Sequence, residues 1–103
     1  MLSVTSDGDR AVVTLPGTLD NGVAAPLKEA FLEALAAGKP VLAVEAGAVE
    51  RLSTACIQVL IAAGRAAAEA GREFVVMRPG EPLIAAFDDL GLFSVMMGWR
   101  IEA

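Results

Sequence analysis

Residues 41–76 read VLAVEAGAVERLSTACIQVLIAAGRAAAEAGREFVV. Two short apolar runs, Val41-Leu42-Ala43-Val44 and Phe74-Val75-Val76-Met77, flank a segment in which apolar residues return every three or four positions. The runs have the length and β-branched content of buried strands. Between them, Ile57, Leu60, Ile61, Gly64 and Ala67 fall on one side of a helix, with Gln58, Arg65, Glu69 and Arg72 toward the other. The helix starts near Ser53 or Thr54 and runs to about Ala70, where Gly71 closes it. Arg65 and Glu69, four apart, are spaced to pair across one turn. Strand, helix and strand in this order make a parallel crossover unit.

Reading toward the N-terminus, Val4 to Leu15 is a hairpin. Ser6-Asp7-Gly8-Asp9 supplies the turn, and Pro16-Gly17 ends the second strand. The Asp20-Asn21-Gly22 loop can cap a helix from about Val23 to Ala37. Val23, Leu27, Ala30, Phe31, Ala34 and Leu35 form its apolar face, Lys28, Glu29 and Glu33 the other, and Gly38 stops it. Toward the C-terminus, Arg78-Pro79-Gly80 ends a strand. Leu83, Phe87 and Leu90 then mark a short helix with Pro82 in its first turn and Gly91 at its stop. Val95 to Ile101 reads as a last strand, weakened by Gly98. The expected order is β-β-α-β-α-β-α-β. This is one α/β domain over residues 1–103, with a mixed, mostly parallel sheet, an antiparallel edge hairpin and helices covering it.

Composition narrows the function. The 103 residues carry thirteen acids against eight bases, net −5, which disfavours nucleic acid and anionic membrane surfaces as partners. No histidine is present, so histidine triads and most zinc sites are excluded. Cys56 stands alone and forms no internal disulfide or thiolate cluster, which suits a reducing cytoplasm. One tryptophan, four phenylalanines and no tyrosine make a poor platform for stacking bases. The apolar stretches are too short to span a membrane, and MLSVTSDGDR opens no signal peptide. The expectation is a cytoplasmic domain with no metal and no cofactor.

No catalytic constellation emerges. Gly17, Gly22 and Gly38 read as turn or stop glycines rather than a phosphate cradle. Asp88-Asp89 reads as the solvated end of a short helix. Cys56 reads as a small core thiol, although a helix N-terminus is also where a thiol is activated. Glu50 to Ala55 joins a buried strand to a long helix, placing it at the carboxyl end of the sheet. Ser53 or Thr54 there is either a plain N-cap or a hydroxyl open to phosphorylation and partner contact. Met96, Met97 and Trp99 either cover the sheet edge or offer an apolar patch for a homodimer.

The order of motifs resembles a STAS domain, the fold of bacterial anti-anti-sigma factors and of the cytoplasmic tails of sulfate transporters. The resemblance rests on VLAVEAGAVERLSTACIQVLIAAGRAAAEAGREFVV, on LIAAFDDLGLF at 83–93, and on LPGTLDNGVAAPLKEAF at 15–31, which looks like the family's L-x-G-x-L-D segment and first helix. In switchable members the serine after an acidic residue is the kinase target; that position falls on Ser53, with Thr54 as the second hydroxyl. Leu52 stands where the family has the acid, and Ala55 where it has glycine. The run Cys56-Ile57-Gln58-Val59-Leu60-Ile61-Ala62-Ala63 looks close to STAS proteins encoded beside chemotaxis genes in α-proteobacteria.

The resemblance implies a non-catalytic protein-binding module, whose partner is an anti-sigma factor with serine kinase activity or a chemotaxis kinase. Two alternatives remain: a constitutive scaffold subunit of a phospholipid-transport ATPase, and a small-ligand or nucleotide-binding STAS domain. The expected partner surface comprises Asp20, Asn21, Arg51, Ser53, Thr54, Gln58, Ala62 and Arg65.

Overall fold

The structure, a computed structural model, describes residues 2–103. Strands β1 (Ser3–Asp7) and β2 (Arg10–Thr14) pair antiparallel around a two-residue turn, in which Gly8 takes a φ of +59°. Such a turn needs positive φ, which glycine adopts without strain. After a two-residue strand β3 (Thr18–Leu19) and a 3-10 turn (Asn21–Val23), the chain forms α1 (Ala24–Ala36) and β4 (Val41–Glu45). A second two-residue strand, β5 (Arg51–Leu52), leads into α2 (Thr54–Glu69), followed by β6 (Glu73–Met77). The chain ends with α3 (Glu81–Asp89), α4 (Phe93–Met97) and β7 (Arg100–Glu102).

The main sheet has the order β1-β2-β4-β6-β7, with β2, β4, β6 and β7 parallel. Every crossover steps to the next position in the same direction, so connections of one hand leave their helices on one side. The packing agrees. Ala11, Val13, Leu42, Val44, Phe74 and Val76 face the helices and share one core with Leu27, Phe31, Ile57, Leu60, Leu83 and Phe87.

On the opposite side Val12, Ala43 and Val75 are buried without any helical side chain over them. Val41 and Met77 pack against these three residues, and ion pairs run across the same side. The Arg10 guanidinium reaches across to both oxygens of Glu102 at 2.8 and 2.6 Å. Arg100 bonds Glu73 at 2.9 Å, and Arg78 bonds Glu45 at 2.8 Å.

The hairpin, both long helices and the three central strands lie where the periodicity puts them, and Leu60 and Phe74 are buried. The C-terminus departs from expectation. Val95, Met96 and Met97 belong to α4, and only Arg100–Glu102 is a strand. The Leu92 carbonyl accepts from the Val95 and Met96 N–H groups, so the segment coils before Gly98 and extends after it. Leu90 is exposed rather than part of the inner face of α3, because that helix ends at Asp89. Arg72 lies past the end of α2 and turns inward, donating to the Leu35 carbonyl in the last turn of α1. A cation there also suits the negative end of the helix dipole. Arg65 and Glu69 do not close to an ion pair.

The methionine–tryptophan cluster divides. Met96 is buried, and Trp99 packs edge-on against Phe74 (ring centroids 5.0 Å apart) and Phe87 (5.7 Å) within the same chain. Met97 is left 55% exposed.

Candidate functional site

The turn into α2 is held by backbone bonds that the periodicity does not reveal. The Gly17 carbonyl accepts from the N–H groups of Glu50 (2.7 Å) and Arg51 (3.1 Å), and the Ser53 N–H donates to the Leu19 carbonyl (2.8 Å). These bonds accompany the parallel pairing of Thr18 with Arg51 and of Leu19 with Leu52. The small β3–β5 ladder therefore sets the Asp20–Gly22 loop beside the start of α2. A third tie runs from the Cys56 thiol to the Asp20 carbonyl at 3.3 Å. Cys56 is fully buried, so its role is packing and this one bond. The loop holds its own shape, since an Asp20 carboxylate oxygen accepts from the Gly22 N–H at 3.0 Å.

Ser53 is the N-cap of α2. Its backbone is extended (φ −75°, ψ 158°), its carbonyl accepts from the Ile57 N–H, and its Oγ accepts from the Cys56 N–H at 3.2 Å. Those bonds satisfy donors that a helix start otherwise leaves unpaired. Ser53 is half-buried, whereas Thr54 is exposed and its hydroxyl bonds to nothing in the chain among the described residues. Leu52 packs at the margin of the core, where a carboxylate would be costly, and Ala55 lines a groove between α1 and α2.

From Thr54 the exposed stripe of α2 continues through Gln58, Ala62 and Arg65. Their spacing of four, four and three keeps all of them on one side of the helix. Gln58 and Ala62 also line the groove, about 350 Å³ in volume, which is apolar apart from Gln58 and Lys28 and is bounded on α1 by Phe31, Leu32 and Leu35. Asp20, Asn21, Arg51, Ser53 and Thr54 thus gather at the carboxyl end of the sheet. Gln58, Ala62 and Arg65 extend the surface along α2.

Charge is distributed unevenly. Every ion pair among the described residues involves Arg10, Arg78 or Arg100. Lys28, Arg51 and Arg65 are exposed and have no carboxylate within 4 Å.

Two features escaped the sequence. Leu32, 50% exposed, belongs to the groove although its neighbours Lys28, Glu29 and Glu33 are polar. The available signal was a single leucine out of step with its face. The second is Arg78, which takes a φ of +52° while its guanidinium grips Glu45. No sequence signal marked it, since Arg-Pro-Gly reads only as a strand end. Asp88 and Asp89 are exposed, and the described residues contain no cluster of three or more side chains able to hold a metal. No described helix is long and apolar enough to cross a membrane.

A singly wound sheet with a hairpin edge, four helices on one side and a hydroxyl-capped α2 defines the class. A family model described as "Mlab, STAS domain" matches residues 2–96, and the chain belongs to the STAS family. No curated protein matches the chain. An anti-sigma factor antagonist from Mycobacterium paratuberculosis shares the fold, with TM-score 0.82 and 20% identity over 99% of this chain and 84% of that one. A variant of Moorella thermoacetica RsbS matches with TM-score 0.79 and 23% identity, over 97% and 84% of the two chains. A sulfate transporter family protein from Wolinella succinogenes matches with TM-score 0.77 and 15% identity, over 95% and 80%. At these identities the likeness establishes the fold.

Proposed function

We propose that this domain acts by binding a protein partner, with no catalysis of its own, through the Asp20–Gly22 loop, the Arg51–Thr54 turn and the α2 stripe of Gln58, Ala62 and Arg65. One observation carries the reading: a continuous exposed strip runs from two adjacent hydroxyls along α2, and its arginines have no carboxylate in reach. A partner presenting carboxylates would pair with Arg51 and Arg65, while Ala62 admits close approach at little side-chain entropy cost. The structural likeness to anti-sigma factor antagonists supports a cytoplasmic regulatory role of that kind. The candidate partners are an anti-sigma factor with serine kinase activity or a chemotaxis kinase.

Phosphate on Ser53 or Thr54 would act as the switch. It adds about −1.5 to −2 charges at neutral pH, which the N-terminus of α2 tolerates and an acidic partner does not. Thr54 is the more accessible of the two hydroxyls.

A constitutive scaffold, as in a transport ATPase, is the second reading. It is favoured by Leu52 at the core margin and by the engagement of the Ser53 oxygen as a cap. A nucleotide ligand fits less well, because the strand order never reverses and so opens no switch-point crevice.

The deciding experiment is capture of partners from the native host with identification by mass spectrometry. Wild type is compared with Ser53→Asp, Thr54→Asp and Arg65→Glu. A regulatory surface predicts a defined partner that all three variants lose while remaining folded. Retention of that partner by all three would place the surface elsewhere. A partner retained by unphosphorylated chain alone identifies the switch, and one indifferent to kinase treatment identifies the scaffold.

A further inference from the structure

The main sheet ends on β1, and no described strand pairs with its outer side. In an antiparallel pair every second residue turns its N–H and C=O away from the partner strand, so β1 offers a row of free backbone groups. Proteins normally blunt such an edge with lysine, proline, a bulge or a covering segment. Ser3–Asp7 contains neither lysine nor proline, and its register with β2 runs unbroken from Ser3 opposite Thr14 to Asp7 opposite Arg10.

Beside this edge lies a groove of about 620 Å³ between β1 and α1. Leu2, Val4, Ala30 and Leu32 give it apolar lining, and Glu29 and Glu33 contribute carboxylates. Both glutamates are exposed, one helical turn apart, and among the described residues neither has a cation within 4 Å. Like charges at that spacing oppose each other, and a cation placed between them relieves the repulsion.

We propose that β1 takes up an extended segment of a partner protein by strand addition. The segment's alternate apolar side chains face the groove, and its lysine or arginine meets Glu29 and Glu33. A free edge dictates an extended occupant, whose backbone bonds supply affinity and whose alternate side chains supply selectivity. The carboxylates dictate basic character. A second copy of this chain fits poorly, because two-fold pairing along β1 would set the α1 helices of two chains, each of net charge −5, side by side with the carboxylates of Glu29 and Glu33 between them. This surface shares Leu32 with the rim of the α1–α2 groove but none of the residues proposed to bind a partner through α2, so it stands or falls independently of that reading.

A phage-displayed library of random seven-residue peptides, selected on the immobilised domain, supplies the probe. The expected binders alternate apolar and other residues and carry lysine or arginine. A synthetic peptide of the best sequence should shift the amide resonances of Ser3–Asp7 and slow exchange of the outward-facing amides. Proline at the centre of the peptide should abolish binding. Glu29→Lys combined with Glu33→Lys, on the exposed side of α1 and so compatible with folding, should weaken it about tenfold. The proposal is overturned if no binder is recovered, or if resonance shifts fall on another face. Binding that survives both the proline and the charge reversal overturns it as well, as does self-association of the free domain through β1.

Discussion

At Ser53 a single hydroxyl serves the fold whatever else it does. Because Oγ accepts from the Cys56 N–H, Ser53→Ala should lower stability by about 1 kcal/mol, read as a shift in the urea midpoint. Ser53→Asp should lose almost nothing, because a carboxylate caps a helix as well as a hydroxyl does and suits the dipole. Gly64 carries a different constraint. A Cβ there would come within 2.8 Å of the Trp99 indole nitrogen, and the indole is already held between Phe74 and Phe87. Gly64→Ala gains about 1 kcal/mol of helix propensity but incurs overpacking worth about 1–3 kcal/mol. We expect a net loss near 1 kcal/mol and a red shift in Trp99 emission as the ring is pushed toward water. Unchanged emission would mean that the neighbouring rings yield instead.

The two long helices and the last strand show how differently elements are held. α2 depends on an apolar face, of which Leu60 is a fully enclosed member at 2% exposure. Leu60→Ala should cost about 2–5 kcal/mol, measurable by thermal or denaturant unfolding. β7 has only three residues and depends on charge. Besides its ladder to β6, it is tied down by the Arg10–Glu102 and Arg100–Glu73 pairs. The bonded Arg10 guanidinium holds the Glu102 carboxyl below its ordinary range, outweighing the opposing effect of burial. A carboxyl whose folded pKa is depressed contributes stability in full above its unfolded pKa and loses it as pH falls through the folded value. Wild type should therefore exceed Glu102→Gln in urea midpoint at neutral pH, and the two should converge at acid pH. A constant gap between them at all pH values would show that the pair is not what holds the strand.

The molecule as a whole presents two unlike sides. Helices and the α2 stripe occupy one, and the sheet's other side is closed by paired charges. Partner contact is consequently expected on the helical side and at the sheet's rim rather than on the flat of the sheet. Because the paired charges need little from a partner, Arg100→Gln, which removes the charge without setting a carboxylate against Glu73 and Glu102, should leave partner capture unchanged, whereas Arg65→Glu should abolish it. Trp99 packs within its own chain, so its emission should already be blue-shifted at concentrations where light scattering reports a monomer. A shift that appears only on association would instead assign Trp99 to an interface between copies.

Local pattern was enough for much of this architecture. The apolar runs at Val41–Val44 and Phe74–Met77, the 3.6-residue repeat from Ile57 to Ala67 and the Gly8 turn each express a preference that neighbouring residues decide. The crossover order follows from them, as does a hydroxyl cap at Ser53 or Thr54, of which the structure uses Ser53. The rest required residues distant in the chain to meet. β3 and β5 are two residues each, too short to show a period, and exist because Gly17 and Leu19 find backbone partners beyond residue 49. Val95 to Met97 has strand-like composition but coils, because bonds to the Leu92 carbonyl and burial of Met96 outweigh a weak local preference. The exposed strip on α2 was legible from helical spacing, but its unpaired arginines were not, since pairing is settled by which carboxylates the fold brings near. The same holds for the open β1 edge and its groove. A strand's sequence states that it will pair, and only the completed sheet determines which of its sides is left without a neighbour.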